Sequence, residues 1–413
     1  MFEPLDTAPM TSRCSSPLDA NRSLPAHSPV ATRLALTALF VGVLSACGGG
    51  GSDASAPVAS TPGTTPAPAS PAPTPVSGSG PAAGNPTGAC AVPTAAQAVN
   101  TSSPTHVIGT GTAASCTSAA VVAAVAQGGS IRFNCGPDPV TITMTATAKV
   151  FNDKPDVTID GGGLVTLSGG GVRRILYQNT CDQAQVWTSA RCDLQNTPRL
   201  TVQNLTMVQG NSAGSAQSYG LGEVYGGGAI YVRGGQLKIV NSRFFNHQCE
   251  STGPDLGGAA VRAFGTNGPV YVVGSTFGGA AGYGNTCSNG AALSGLGASF
   301  SVINSLFSHN TAVGNGANPQ RAGTPGGGSG GAIYQDGDAM DLSVCGSHLH
   351  DNTANEGGSA IFFVSNNLTG TMSITDSLLE NHPFGRFETD GLPGFFVLAA
   401  PGQPVVTRST IRR

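Results

Sequence analysis

The sequence predicts an all-β fold, a single right-handed parallel β-helix with an N-terminal capping helix, and a two-part repeat is the main observation behind it. The first part, GGAIY at 227–231, returns in variant form at 257–261, 290–293, 330–334 and 357–362. The second part, LKIVNSRF at 237–244, returns at 270–277, 300–307, 341–349 and 372–379. One copy cannot bury its own apolar face, so stacked copies must supply the core.

The spacing and length of these segments separate the β-helix from other repeat folds. The copies recur every 30 to 42 residues, counted at Asn241, Gly274, Asn304, Gly346 and Asp376. Their apolar runs are short and alternate with period two, whereas helical solenoids need long stripes of period 3.6. Propeller blades need about 40 or more residues and regular hairpin turns. The pattern therefore favours short parallel strands joined by corners of small residues.

The composition agrees with one long domain. Glycine is abundant, with 60 residues, while charged residues make up 10% and aromatic residues 6% of the chain. A net charge of -3 without a basic patch argues against a nucleic-acid partner. We expect a monomer that needs no cofactor.

Residues 1–46 are interpreted as a signal peptide. Arg33 precedes an apolar run at 34–46 that ends in LSAC, and the cysteine of this tetrapeptide is Cys47. The arrangement resembles the lipobox of bacterial lipoproteins, which implies that Cys47 carries a lipid and that a membrane is a partner. The stretch before Val30 has no pattern of its own, so we expect translation to start near that residue.

Residues 47–90 are predicted to form a disordered linker of Pro, Gly, Ser and Ala. Such a segment buries too little apolar surface to offset its ordering entropy, and its prolines keep it extended. In the bacterial lipoproteins that this lipobox-like sequence resembles, an aspartate directly after the lipidated cysteine marks retention in the inner membrane. Gly48 stands at that position here, so the resemblance implies a bacterial cell-envelope protein anchored in the outer membrane.

The cysteines also favour an oxidising compartment. Apart from Cys14 and Cys47 the chain has eight, and an even number in an exported protein suggests disulfides. The favoured pairs are Cys116–Cys135, Cys181–Cys192 and Cys249–Cys287. No CxxC spacing occurs, so the sequence predicts no zinc or other metal site.

The cap is assigned to residues 91–135 and the β-helix to 136–413. A helix is predicted within 116–135, where Thr117 or Ser115 can cap its start and Gly128 can end it. A solenoid needs such a cap because its first coil otherwise exposes both its core and its strand edges.

Two sets of motifs resemble known families. GGAI at 330–333 with the FxxN motif at 307–310 resembles the repeats of chlamydial polymorphic outer membrane proteins. The cysteine-initiated helix, TIDGGG at 158–163 and the LxIxNSxF strand at 237–244 are similar to the pectin-lyase-like superfamily. The resemblance covers about 105–413. It implies the β-helix fold and leaves the activity open, since that superfamily includes lyases, hydrolases, adhesins and passenger domains.

The turns after the repeated strands supply the candidate site. Aligning them places Ser308, His350 and Glu380 in one column, and equivalent residues on successive coils lie roughly 4.8 Å apart. His309, Asp351 and Asn381 form the next column, and Asn310, Asn352 and His382 the third. His350 with Glu380, and His309 with Asp351, are therefore the candidate catalytic pairs for acid or base chemistry. A hydrogen-bonded ladder of corner residues is the interpretation we favour.

Two functions stay open from the sequence. The first is a surface binding or adhesive scaffold for a polysaccharide or another surface ligand. The second is a polysaccharide lyase or glycoside hydrolase that uses the neighbourhood of His350 and Glu380. We favour the first because the repeated strands carry almost no acidic residues, and glycosidase chemistry needs two carboxylates at a defined separation.

Overall fold

The computed structural model describes residues 80–186, 189–214 and 225–413. The predicted signal peptide, Cys47 and most of the predicted linker lie outside the described residues. Within these ranges no helix has the length and apolar character that crossing a bilayer requires.

The elements follow one another in short coils. The first ones are β1 (His106–Ile108), α1 (Ser118–Gln127), β2 (Gly129–Phe133), β3 (Val140–Thr143), β4 (Ala148–Val150), β5 (Asp156–Asp160), β6 (Val165–Ser168), β7 (Leu176–Asn179), β8 (Arg199–Gln203), β9 (Thr206–Val208) and β10 (Ile230–Arg233). The middle coils contain β11 (Gln236–Val240), β12 (Arg243–Phe245), β13 (Val261–Phe264), β14 (Val270–Val273), β15 (Thr276–Phe277), β16 (Thr286–Cys287), β17 (Leu293–Leu296), β18 (Phe300–Ile303), β19 (Leu306–Ser308), β20 (Thr311–Ala312) and β21 (Ile333–Gly337). The last coils contain β22 (Asp341–Cys345), β23 (His348–His350), β24 (Thr353–Ala354), β25 (Ile361–Ser365), β26 (Thr371–Thr375), β27 (Leu378–Glu380), β28 (Phe395–Leu398), β29 (Val405–Thr407) and β30 (Thr410–Ile411). Short 3-10 turns lie at Thr94–Ala96, Ala113–Ser115, Gln183–Gln185 and Cys192–Leu194.

In the described ranges the strands form parallel sheets that run the length of the molecule. Sheet A has the order β1-β2-β5-β8-β11-β14-β18-β22-β26-β29, sheet B the order β3-β6-β9-β12-β15-β19-β23-β27-β30, and sheet C the order β4-β7-β10-β13-β17-β21-β25-β28. A small sheet D, β16-β20-β24, lies between sheets B and C in three coils. From β2 onward the strands pass to sheets A, B and C in turn, and β1 precedes them on sheet A. The predicted parallel β-helix is confirmed, and its right-handed sense stays a prediction.

The core lies inside the coils because alternate side chains of each short strand point inward. Phe244, Phe277 and Phe307 occupy equivalent positions in β12, β15 and β19, and none of the three is exposed. Their rings stack with centroids 4.6 and 4.8 Å apart and nearly parallel planes. The repeated phenylalanine of the sequence is therefore one continuous apolar column.

The predicted cap is confirmed as a helix at the first end. Oγ1 of Thr117 accepts a hydrogen bond from the backbone N–H of Ala120 at 3.3 Å, and Gly128 ends the helix with φ of +76°. Val121 and Val125 are fully buried and join the main core. The helix therefore covers the apolar end of the first coils.

A serine ladder holds the corner between sheets A and B. From β11 onward, the residue before each ladder serine has a left-handed φ, as at Asn241, Asn304 and Asp376, which turns the chain sharply. The serine that follows donates its hydroxyl to a carbonyl two residues back and accepts the amide of the equivalent serine in the preceding coil. The amide-to-hydroxyl distances are 3.1 Å from Ser242 to Ser275 and 3.2 Å from Ser275 to Ser305. The repeated NS motif is thus an ordered hydrogen-bond chain along the axis.

Residues 80–105, here called the strap, lie outside sheet A along this corner. Near its start Gly84 donates to Oγ1 of Thr276 at 2.8 Å, and that hydroxyl donates to the carbonyl of Ala82 at 2.7 Å. Cys90 forms a disulfide with Cys345 on β22, with Cα atoms 6.0 Å apart. The strap is therefore fixed covalently to a late coil, and residues 80–90 of the predicted linker contact the β-helix.

From Cys90 the strap returns along sheet A to the first coil. Ala96 packs in a small apolar cluster with Val240, Val273 and Ile303, the outward residues of three successive strands. Further on, the Gln203 side chain accepts from the Val99 amide at 2.8 Å and donates to its carbonyl at 2.9 Å. The strap thus ties late coils to early ones.

The other cysteines also pair. Cys116–Cys135, Cys181–Cys192 and Cys249–Cys287 lie with Cα atoms 5.7, 5.0 and 4.8 Å apart and form disulfides. These are the three pairs that the sequence favours. The pairing of Cys90 with Cys345 joins residues 255 positions apart, and no local spacing indicates it.

Candidate functional site

The corner between sheets B and C carries a buried ladder. Asn285, Asn310 and Asn352 are fully buried at equivalent positions of successive coils. The Asn285 amide group donates to Oδ1 of Asn310 at 2.8 Å, and the Asn310 amide group donates to Oδ1 of Asn352 at 2.9 Å. Each asparagine also donates to a backbone carbonyl of the coil before it. The third column predicted from the sequence is therefore a structural ladder.

Histidines end this ladder on both sides. His247 takes the position before Asn285 and His382 the position after Asn352, and neither is exposed. The Gly210 amide donates to Nδ1 of His247 at 2.8 Å, so the ring is the tautomer that donates from Nε2 to the Met207 carbonyl at 3.0 Å. Burial lowers the pKa of His247 to about 3 and that of His382 to about 4. Both rings are neutral structural groups near neutral pH.

The predicted catalytic residues lie on the outer side of the same corner. Ser308, His350 and Glu380 are in register in β19, β23 and β27, as the column alignment predicts. His309 and Asp351 follow these strands and have left-handed φ of +59° and +52°. This conformation turns the chain at the corner, so the two residues occupy the same position in neighbouring coils.

The carboxylate partners differ from those expected. Nδ1 of His350 lies 2.7 Å from Oδ2 of Asp351, the next residue in the chain. Glu380 instead contacts His348, with 3.0 Å between Oε1 and Nε2, and its Oε2 accepts from Nε of Arg412 at 3.0 Å. Glu380 is therefore held through one oxygen by His348 on β23 and through the other by Arg412, which follows β30.

Neighbouring groups shift the pKa values of Glu380 and His348. The hydrogen bond from Arg412, followed by that from His348, lowers the pKa of Glu380. Burial, followed by the charge of the neighbouring His350, lowers the pKa of His348. The rings of His348 and His350 lie 4.4 Å apart and those of His309 and His350 lie 5.9 Å apart. Three imidazoles and two carboxylates therefore share one small patch, here called the histidine corner: His309, His348, His350, Asp351 and Glu380.

The histidine corner is accessible. The side chains of His350 and His348 are 20% and 25% exposed, and that of Asp351 is 42% exposed. An imidazole bonded to a carboxylate and open to solvent can accept or donate a proton. The same groups are ligands for transition metals.

A groove on the outside of sheet A is a second candidate site. Its volume is about 630 Å³, and the strap residues Ala95, Val99 and Asn100 form one wall. Residues at the opposite corner, Asn267 and Pro269, belong to the lining as well. The floor is one in-register column of five side chains: Ser130, Thr158, Thr201, Lys238 and Tyr271. With strands roughly 4.8 Å apart, this floor extends about 19 Å along the axis.

Lys238 gives the groove a positive charge. Its Nζ lies 3.3 Å from the carbonyl of Ala95 in the strap, and burial lowers its pKa. In the part of the chain that the structure describes, no carboxylate forms an ion pair with this ammonium group. Arg199 on the lining is bonded to Asp156 through two distances of 2.7 Å, so among the described residues that line the groove Lys238 is the cation without a carboxylate partner.

Three further side chains lie in or near the predicted site along the sequence. Arg386, near the candidate site in the sequence, lies 3.8 Å from Glu356 in another ion-pair group. His348 belongs to the histidine corner and Arg412 is bonded to its Glu380, and the aligned turns predict neither residue. The period of two in HLH at 348–350 places His348 on the face of His350, which is the signal that would have found it.

Comparisons with known proteins identify no relative: no family model, no curated protein and no solved structure matches this chain. The fold defines the chain as a parallel β-helix protein. The likeness to the pectin-lyase-like superfamily and to the chlamydial repeats stays a prediction.

We predict that asparagine at both buried histidine positions will flatten the acid dependence of stability. The pKa values of about 3 and about 4 for folded His247 and His382 lie below the unfolded value of about 6.5. Their stabilising effect is therefore complete above pH ~6.5 and is lost as the pH falls toward the folded values. Each ring contributes a slope of up to about 1.4 kcal/mol per pH unit. Urea unfolding near pH 7 and near pH 5 measures the change.

Asparagine suits these positions because it already occupies the three between them. The double variant His247→Asn/His382→Asn should fold and should lose less stability between the two pH values than the wild type. His106→Asn, in β1 and away from the ladder, should keep the wild-type slope. An unchanged slope in the double variant would show that these rings do not titrate as the burial implies.

Proposed function

We propose that this protein is a binding scaffold of the bacterial cell envelope and that its ligand is an acidic polysaccharide. The observation that carries the proposal is the groove on sheet A, with its straight floor and its wall formed by the strap. A linear polymer lying along the axis can contact each coil in turn, because the floor side chains follow one another at strand spacing. Its length of about 19 Å suits a short stretch of sugar units.

The chemistry of the floor supports this class of ligand. Ser130, Thr158 and Thr201 carry hydroxyl groups, which can both donate and accept hydrogen bonds. Thr158 and Thr201 are 5% exposed and the Ser130 hydroxyl accepts from the Thr105 amide of the strap at 3.0 Å, so a ligand reaches these groups only along the strap wall. Tyr271 adds an apolar ring with a polar end at one end of the column. Lys238 is half-buried and lacks a carboxylate partner in the described ranges, so a carboxylate or sulfate on the ligand would supply one.

The covalent structure supports an exported location. The described residues contain four disulfides, and disulfides persist in oxidising compartments such as the bacterial periplasm and the cell surface. The Cys90–Cys345 bond fixes the groove wall to the β-helix. A wall held in place lowers the ordering entropy that ligand binding must otherwise offset.

We predict that the full chain binds polygalacturonate through this groove and releases no product. Tyr271→Ala should weaken binding at least about tenfold, equivalent to about 1.4 kcal/mol. Lys238→Glu should weaken it further, because it places a like charge against the ligand. Isothermal titration calorimetry against acidic and neutral polysaccharides gives the affinities.

Lys149→Glu is the matched control, since Lys149 lies in β4 of sheet C and outside the groove. It should bind as the wild type does. The proposal is wrong if the wild type binds no acidic polysaccharide, or if Lys238→Glu and Lys149→Glu bind equally well.

The histidine corner favours a second function, a polysaccharide lyase or glycoside hydrolase. The observation behind it is the accessible His350–Asp351 pair, with 2.7 Å between Nδ1 and Oδ2. This function predicts release of reducing or unsaturated sugar from a polysaccharide panel, and a loss of roughly 100-fold or more in rate for His350→Ala. Sugar release that survives in His350→Ala would exclude the corner as the catalytic site.

We propose that Cys47 anchors the protein in the outer membrane. The lipobox-like sequence at 44–47 supports this proposal. Cells fed labelled palmitate should incorporate the label into the wild-type protein, and Cys47→Ala should remain unlabelled and leave the membrane fraction. Equal labelling of the two proteins would contradict the anchor.

A further inference from the structure

The histidine corner brings together groups that are far apart in the sequence. His309 follows β19, whereas His350 and Asp351 lie at the end of β23 in the next coil. One nitrogen from each histidine and one oxygen from Asp351 all lie within 4.8 Å of one another. No short motif in the chain contains this set, so the spacing rules that predict metal sites from sequence do not detect it.

The arrangement is held by the corner itself. His309 and Asp351 stand in equivalent left-handed positions, directly outside the ladder residues Asn310 and Asn352. The backbone of these two residues is fixed because the ladder hydrogen-bonds the coils together at 2.9 Å and 3.1 Å. The hydroxyl of Ser308 lies 3.0 Å from Nδ1 of His309 and orients that ring. Groups that orient a ligand in this way are typical of metal sites.

The donor set selects a class of ion. Two imidazoles and a carboxylate suit zinc, copper, nickel or iron, whereas calcium and magnesium prefer oxygen ligands alone. Among the described residues the ion-pair partner of Asp351 is His350, so no arginine or lysine competes for this carboxylate. Glu380, by contrast, is bonded to Arg412 and His348. Among the described residues, His309, His350 and Asp351 are therefore three metal donors that no arginine or lysine binds.

The distances require only a small adjustment. Zinc–nitrogen and zinc–oxygen bonds of about 2.1 Å in a tetrahedral site place neighbouring donor atoms roughly 3.4 Å apart. The donors here lie within 4.8 Å, and His350 and Asp351 are 2.7 Å apart where they share a proton. A metal would replace that proton, and the His350 ring, which is 20% exposed, can rotate to meet it while Ser308 holds the His309 ring.

We propose that His309, His350 and Asp351 form a surface site for a divalent transition metal, with Zn²⁺ as the representative ion. The fourth position is open to water or to a ligand, since the three side chains lie on the outer face. The site is independent of the groove on sheet A, because no groove residue belongs to it. The metal proposal can therefore be wrong while the polysaccharide proposal is right, and the polysaccharide proposal can be wrong while the metal proposal is right.

The test is calorimetric titration of Zn²⁺ into the full chain after treatment with a chelator. We expect one saturable site, and we expect His309→Asn and Asp351→Asn each to weaken it at least about tenfold. Asparagine is chosen because Asn246 and Asn381 already occupy this corner position with left-handed φ, so these variants should keep the fold. The urea midpoint of each variant without zinc checks this.

His106→Asn is the matched control, since it removes an imidazole from β1 in the first coil. It should keep the wild-type affinity for Zn²⁺. The proposal is overturned if the wild type shows no saturable site. It is also overturned if binding survives unchanged in folded His309→Asn or falls equally in His106→Asn, because the ion then binds elsewhere.

Discussion

The structure depends on the register between successive coils. Parallel strands pair backbone to backbone, yet that pairing alone does not specify which residues stand opposite one another. Two side-chain ladders add this information, the serines between sheets A and B and the asparagines between sheets B and C. Each serine bonds the neighbouring coil and its own turn. The asparagines bond one another along the axis and also bond a carbonyl of the coil before them. A slip of one residue would break both ladders and expose the core.

Fixed register is also what creates the two candidate sites. On sheet A it aligns Thr158, Thr201, Lys238 and Tyr271 into one straight floor. At the corner of sheets B and C it places His309 beside His350 and Asp351 of the next coil. Both sites consist of outward side chains on successive coils that the ladders hold at strand spacing. At the histidine corner, His309 and Asp351 also have left-handed φ.

The repeated features of the fold could be predicted from the sequence, and the features that occur once could not. The coils, the columns and the ladder interpretation follow from aligned copies. The contact of Glu380 with His348 could not be predicted from an alignment, because an alignment does not show which neighbouring side chain a carboxylate contacts, and Arg412 in the next coil bonds the same group. The strap is non-repetitive, so its Cys90–Cys345 bond and the groove that it walls have no sequence signal. The groove could therefore not be predicted from the sequence, because its floor comes from the repeated strands but one of its walls comes from the non-repetitive strap.

The most direct test of the account is hydrogen–deuterium exchange of the full chain with and without oligogalacturonate. A ligand in the groove should slow exchange in the strap near Val99 and in β8, β11 and β14, while β23 and β27 stay unchanged. Slowed exchange at β23 and β27 with an unaffected strap would contradict the groove and place the ligand at the histidine corner. No change anywhere on the chain would contradict the account of the protein as a polysaccharide-binding scaffold.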